Sequence, residues 1–180
     1  MGAGRGKGSV RRVVVLKILG IDPGLSGALA WLDDSGELEI HGMPIHQITV
    51  NGKKKRKLDL YQLGVLIDSM ANETKIAVIE DVSAMPKQGV TSSFNFGFSA
   101  GVIQGVVAAN LIPMQLVRPA VWKKSMGLTR DKDSSRQKAS AMYPKFCSHW
   151  SLKKDADKAE AALIATYGSN HEPRVSTRHS

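Results

Sequence analysis

The chain has 180 residues, enough for one compact domain with a real core and short for two. It is 42% hydrophobic and 23% charged, ordinary values that exclude wholesale disorder, and 25 Lys and Arg against 16 Asp and Glu give a formal charge of +9. The single cysteine, Cys147, excludes an internal disulfide and a thiolate metal site and points to a reducing, intracellular setting, and no apolar run reaches the ~20 residues of a membrane helix.

In chain order, residues 1–16 read as a flexible basic arm. Val13 to Ile21 is an apolar, β-branched strand ending in Asp22-Pro23-Gly24. Gly27–Leu32 and Leu38–Met43 are short strands joined by the turn Asp33-Asp34-Ser35-Gly36, so the front of the chain forms an antiparallel meander. Lys53, Lys54, Lys55, Arg56 and Lys57 follow Asn51-Gly52 and read as a flexible basic loop. Leu58, Leu60, Leu63, Leu66, Ile67 and Met70 then recur at helical spacing, with Asp59 near the start. Lys75–Glu80 is a buried strand, Ser92–Leu111 a helix despite its glycines, and Met114–Val117 another strand. Helices follow over Ala120–Met126, Ser134–Met142 and Asp155–Tyr167, and residues 169–180 read as a disordered polar tail. The pattern predicts one α/β domain over 17–168, a mixed five-stranded sheet flanked by helices. Trp31 and Trp150 are expected in the core or half-buried, Cys147 as a buried small apolar residue, and at least two of Phe94, Phe96 and Phe98 in core or dimer packing.

Charge is segregated along this chain. Residues 1–17 hold five cations and no acid, 53–57 are all cationic, and 18–50 hold five acids with no Lys or Arg. Such clustering points to a polyanion partner, most simply nucleic acid.

Four acids stand out from the rest. A carboxylate at the end of a hydrophobic strand is costly unless it is paired or binds a cation, and Asp22 and Glu80 each close such a strand. Asp157 and Glu160, three apart, share one face of the last helix, and the small apolar residues around them indicate that this helix packs on the sheet. Four convergent carboxylates with no His or Cys suit Mg²⁺, with Mn²⁺ as substitute. Two such ions about 3.5–4 Å apart activate a water and stabilise the leaving oxygen of a phosphodiester.

The motifs Leu19-Gly20-Ile21-Asp22-Pro23-Gly24-Leu25-Ser26-Gly27-Ala28, Val78-Ile79-Glu80 and Asp157-Lys158-Ala159-Glu160-Ala161 resemble, in order and spacing, the acidic motifs of RuvC-type Holliday junction resolvases. Met85-Pro86-Lys87-Gln88-Gly89, Arg118-Pro119-Ala120-Val121-Trp122-Lys123 and the stretch from Asp133-Ser134-Ser135-Arg136 to Tyr143-Pro144 look closer to the bacteriophage and plant-chloroplast members than to the bacterial enzyme. The resemblance implies an RNase H-like fold, a homodimer, and Mg²⁺-dependent, paired, symmetric nicking of four-way DNA junctions near the crossover. It implies Asp22, Glu80, Asp157 and Glu160 as catalytic metal ligands. Glu160 stands where the family usually has Asp, and Asp155 competes with Asp157 for the third position, although Asp155 faces about 140° away from Glu160 on a helix.

On this reading phosphates are met by Lys53, Lys54, Lys55, Arg56 and Lys57, by Lys123 and Lys124, where the family places cations close to the scissile phosphate, and by Arg136 and Lys138. Lys87 and Gln88 would meet bases at the junction centre. A wedge role, aromatic in the bacterial enzymes, would fall to Met85 or a later Phe. The setting implied is host cytoplasm for a phage protein and chloroplast for a plant one. The loop Asp22 to Gly27 also resembles the first phosphate loop of actin-like kinases, but no second glycine-rich phosphate loop accompanies it. The other readings are an RNase H- or transposase-like nuclease with a different substrate and a non-catalytic junction binder.

Overall fold

The structure, a computed structural model, describes residues 15–81, 89–129 and 131–171. Met85, Lys87, Gln88 and most of both tails lie outside the described residues.

Strands β1 (Lys17–Asp22), β2 (Ala28–Asp33) and β3 (Leu38–Gly42) form the expected meander. A hairpin, β4 (Ile45–Val50) and β5 (Lys53–Leu58), precedes α1 (Leu60–Met70) and β6 (Thr74–Glu80). Then come α2 (Val90–Ala109), β7 (Met114–Val117), α3 (Pro119–Ser125), α4 (Lys132–Met142) and α5 (Ala156–His171). The main sheet has five strands in the order β3-β2-β1-β6-β7; β6 runs parallel to β1 and β7, while β2 runs antiparallel to β1 and β3.

Alternation along the strands divides the core in two. Leu19, Ile21, Leu29, Trp31, Ala77 and Ile79 face α1 and α2 and pack on Leu63, Ile67, Ile103 and Val107. Ile18, Ala28, Ala30 and Val78 face the other way, onto α5. Buried Trp31 donates its indole N–H to Thr74 Oγ1 at 2.9 Å, and Trp150 donates to Ser140 Oγ at 2.9 Å, so both expected core tryptophans satisfy their one donor.

Helix α5 lies unusually close to the sheet. A Cβ on Gly20 would collide with the backbone of Ala161 and Ala165, and a Cβ on Gly168 would come within 2.6 Å of Val78 Cγ2 and 2.8 Å of Ile18 Cγ2. Glycine at Gly20 lets the backbones of strand and helix meet, and glycine at 168 lets the methyl groups of Val78 and Ile18 pack directly on the helix backbone. Residues 156–168 of α5 are buried apart from half-buried Lys158, since α4 and the 3₁₀ turn Pro144–Trp150 cover its outer side.

Three expectations need correction. Lys53–Lys57 is not a loop but strand β5, paired with β4 in a two-stranded ribbon. Asn51 and Gly52, at φ 51° and 72°, make the two-residue turn that suits the strand twist, and β-branched Ile45, Ile48, Thr49 and Val50 supply its partner strand. Cys147 is exposed, because the 3₁₀ turn that holds it directs Trp150 and Phe146 inward instead. Phe94 and Phe98 are 71% and 52% exposed and Phe96 is half-buried, since α2 turns Ile103 and Val107 to the sheet, so of the two fates expected for these rings, core or dimer packing, it is the core that the single chain does not give them. The last helix also continues to His171, four residues past the predicted end at Tyr167.

Candidate metal centre

The site follows from strand parity. Ile18, Gly20 and Asp22 share one face of β1, and Ile76, Val78 and Glu80 the same face of β6, so both terminal acids emerge on the α5 side of the sheet at neighbouring strand ends. Gly27 holds the turn after β1 tight: its N–H donates to the Gly24 carbonyl at 2.8 Å, and a Cβ on it would strike the Asp22 carbonyl. The Gly24 N–H leans toward Asp22 Oδ1 at 3.4 Å. Across the seam at Gly20, the first turns of α5 present Asp157 and Glu160.

Carboxylate oxygens of Asp22, Asp157 and Glu160 lie within 4.8 Å of one another. Asp155 is outside this group; it ends the 3₁₀ turn before α5 and accepts from Lys158 Nζ at 3.2 Å. Of the two aspartates left open by the sequence, Asp157 is the one whose carboxylate joins this group. Glu80 stands beside the three and accepts the indole N–H of buried Trp122 at 2.9 Å. Glu160 Oε1 accepts from Lys123 Nζ at 2.8 Å and from Ser135 Oγ at 3.0 Å.

Glu80, Asp157 and Glu160 are 9%, 8% and 3% exposed. Crowding of this kind raises a carboxyl's proton affinity. Burial above all, then the charges of Asp157, Glu80 and Glu160, push the pKa of Asp22 from 3.8 up to about 7, against the weaker opposing pull of the Gly24 N–H. The donor set is oxygen only, three carboxylates converge, and burial together with the neighbouring charges raises the pKa of one of them to about 7. That combination fits a hard divalent cation, which removes the mutual repulsion.

Among the described residues, the predicted phosphate contacts divide. Lys53 to Lys57 are exposed along β5, and Arg56 Nη2 donates to Ser26 Oγ at 3.3 Å, which brings the ribbon to the loop after Asp22. Lys124 and Lys138 are exposed on α3 and α4. Lys123 is turned inward onto Glu160, with its ammonium 5.1 Å from the Trp122 ring centroid. Arg136 braces the fold: Nε donates to the Trp150 carbonyl at 2.8 Å, Nη1 to Asp133 Oδ1 at 3.0 Å, and Nη2 to the Ser151 carbonyl. Sequence reasoning missed Trp122 and Ser135. The indole had a usable signal, since a tryptophan on a core helix needs an acceptor for its N–H; the hydroxyl of Ser135 had none.

No protein-family model matches the chain, and no curated protein matches it in sequence. Among solved structures, Thermus thermophilus RuvC in complex with a Holliday junction substrate aligns with a TM-score of 0.55 at 11% identity, over 86% of this chain and 95% of that one. The chain has the RuvC fold. A second Thermus thermophilus RuvC structure aligns with a TM-score of 0.52 at 11% identity, over 86% of this chain and 96% of its own. The yeast mitochondrial Holliday junction resolvase Ydc2 aligns with a TM-score of 0.49 at 13% identity, over 85% of this chain and 77% of that one. The RuvC fold is RNase H-like, and in this chain its sheet carries the acids at the ends of β1 and β6. No helix among the described residues is long and apolar enough to cross a membrane.

Proposed function

We propose that the chain is a metal-dependent, structure-selective DNA endonuclease that resolves four-way junctions, and that Asp22, Glu80, Asp157 and Glu160 are its metal ligands. The observation that carries this reading is the convergence of three carboxylates across the β1–α5 seam, within a fold shared with RuvC. Mg²⁺, with Mn²⁺ as substitute, would supply an activated water and charge neutralisation at the leaving oxygen. The chain's own residues do the rest. Trp122 holds Oε1 of Glu80 and Ser135 holds Oε1 of Glu160, and Lys123, bonded to that same Glu160 oxygen, stands ready to meet phosphate charge beside the acids. The cations of β5 supply sequence-independent affinity for the backbone. The stretches around Arg118–Lys123 and Asp133–Pro144 support a reading nearer the phage and chloroplast resolvases.

Paired cuts in two strands of opposite polarity need two acid clusters related by a two-fold axis, hence a homodimer. One face of α2 supports it: Phe94 and Phe98 are exposed, and nothing lies within 4 Å of a Cβ placed at Gly97, Gly101 or Gly105.

A gel assay with Mg²⁺ on a labelled four-way junction and a duplex of the same arm sequence tests the function. Symmetric nicks near the crossover are expected, absent in EDTA. Asp22→Asn should leave junction binding intact and lower cleavage by several kcal/mol of lost stabilisation, roughly 100-fold or more. Equal cutting of duplex or of an RNA–DNA hybrid would move the reading to a general nuclease; tight binding without cuts in Mg²⁺ or Mn²⁺ would leave a junction binder.

A further inference from the structure

Of the three acids at the start of α5, Asp155 stays outside the metal centre, and it holds Lys158, whose Nζ donates to Asp155 Oδ1 at 3.2 Å. In sequence, Lys158 stands between Asp157 and Glu160, where a positive charge opposes the binding of a cation. On a helix it lies about 100° from Asp157 and about 160° from Glu160. Its stem therefore leaves the acids and runs toward β3, where a Cβ on Gly42 would meet Lys158 Cε at 4.0 Å. Its side chain is 31% exposed, on a helix otherwise buried from 156 to 168. A partly exposed ion pair three residues apart contributes at most about 1 kcal/mol, so stability alone gives little reason for a lysine here.

Strand register gives the place of Lys158 relative to the acids. Asp22 pairs with Ala28 and Ala28 with Gly42, so the three form one row across the end of the sheet. Gly42 is two strand spacings, about 10 Å, from Asp22. It is exposed and has no side chain to cover the row. Lys123 reaches the acids from the other side, because α3 follows β7 at the opposite edge of the sheet. The acids thus lie between two lysines. We infer that Lys158, held by Asp155, is a phosphate subsite for the strand being cut, within about three nucleotides of the cut on the side away from Lys123. This inference rests on the proposed nuclease reading. The range follows from the spacing, since each strand carries one phosphate per about 3.4 Å of helix axis. An ammonium has three donors; Asp155 takes one, which steadies a flexible stem and leaves two for phosphate oxygens.

The test pairs one neutralised phosphate with one neutralised lysine. Four-way junctions are prepared with a single methylphosphonate at each of the three positions on either side of the cut, and single-turnover cleavage is followed in Mg²⁺. Cleavage of the unmodified junction by wild-type protein reports on the nuclease reading alone. One methylphosphonate, on one side of the cut, should slow wild-type protein about 3- to 30-fold, the range of a charge-assisted contact that is partly exposed. The same junction should slow Lys158→Ala no further, while Lys158→Arg, which keeps the charge, should regain the sensitivity. If every methylphosphonate slows Lys158→Ala and wild type by the same factor, the subsite is wrong and the nuclease reading stands. A lysine acting only on the cation would shift the Mg²⁺ half-point and leave the methylphosphonate effects equal, which also overturns the subsite. Junction binding in EDTA across a salt series needs no cleavage: the slope of log K against log salt should fall by about one for Lys158→Ala. An unchanged slope contradicts the contact even if wild type cuts nothing. Lys158→Ala should fold, since alanine suits a helix and the ion pair lost is a partly exposed one.

Discussion

Asp22 is the residue on which the electrostatics of the site turn. Its pKa rises from 3.8 to about 7, so between those values the folded metal-free chain holds a proton that the unfolded chain has lost. Stability from this group is therefore greatest below pH ~4 and falls as pH rises to ~7, by at most about 4 kcal/mol. A divalent cation reverses the loss where the carboxylate is ionised. Thermal unfolding from pH 4 to 8 should show an Mg²⁺-induced gain that grows with pH; a gain equal at pH 5 and pH 8 would contradict it. Trp122 acts on the site through Glu80 and is a positioning residue. Trp122→Phe removes the donor and little volume, so a stability loss of about 1–2 kcal/mol is expected. The Mg²⁺ concentration for half-maximal cleavage should rise while the rate at saturating Mg²⁺ recovers. An unchanged Mg²⁺ dependence would make the contact purely structural. Asp22 and Glu80 were legible in the sequence because an acid ending an apolar strand is a conspicuous exception. Ser135 was not, because a serine on a polar helix is ordinary until the fold brings it to Glu160.

At the scale of elements, the seam between α5 and β1 sets the distance between Asp22 and the pair Asp157 and Glu160. Gly20→Ala drives a methyl group into the backbone of Ala161 and Ala165, which cannot rotate away, whereas Gly168→Ala meets the methyl groups of Val78 and Ile18, which can. The first should cost at least about 3 kcal/mol, roughly 6–12 °C in Tm, and the second about 1–3 kcal/mol. Differential scanning calorimetry checks the order, and equal losses would show that the seam yields at both ends. The five strands of the main sheet were readable from apolar runs and turn residues. The ribbon was not, although Asn51-Gly52 and the β-branched run before it were visible; five consecutive cations outweighed a turn signal that is strong by itself. Unlike the strands of the main sheet, β5 has no apolar alternation to mark it, since Lys53 to Lys57 are all exposed and only its last residue, Leu58, is buried.

For the whole molecule, the proposed homodimer is tested at the open face of α2. Gly101→Leu has room in the single chain, where nothing lies within 4 Å of its Cβ, and replacing glycine inside a helix favours the helix by up to about 1 kcal/mol. The variant should be at least as stable as a monomer, yet its side chain would hold a second copy away. Sedimentation equilibrium should therefore find a dimer for wild type and a monomer for Gly101→Leu, with paired cutting of the junction replaced by single nicks. A dimeric variant would move the two-fold axis off this face. The seam at Gly20 also has a bearing on control. With strand and helix in backbone contact, the acids cannot drift apart while the sheet stays intact, so α5 offers no hinge by which a folded chain could be disarmed and rearmed. On the proposed nuclease reading, latency and timing then fall to whatever approaches the acids from outside, and the shape of the DNA becomes the switch.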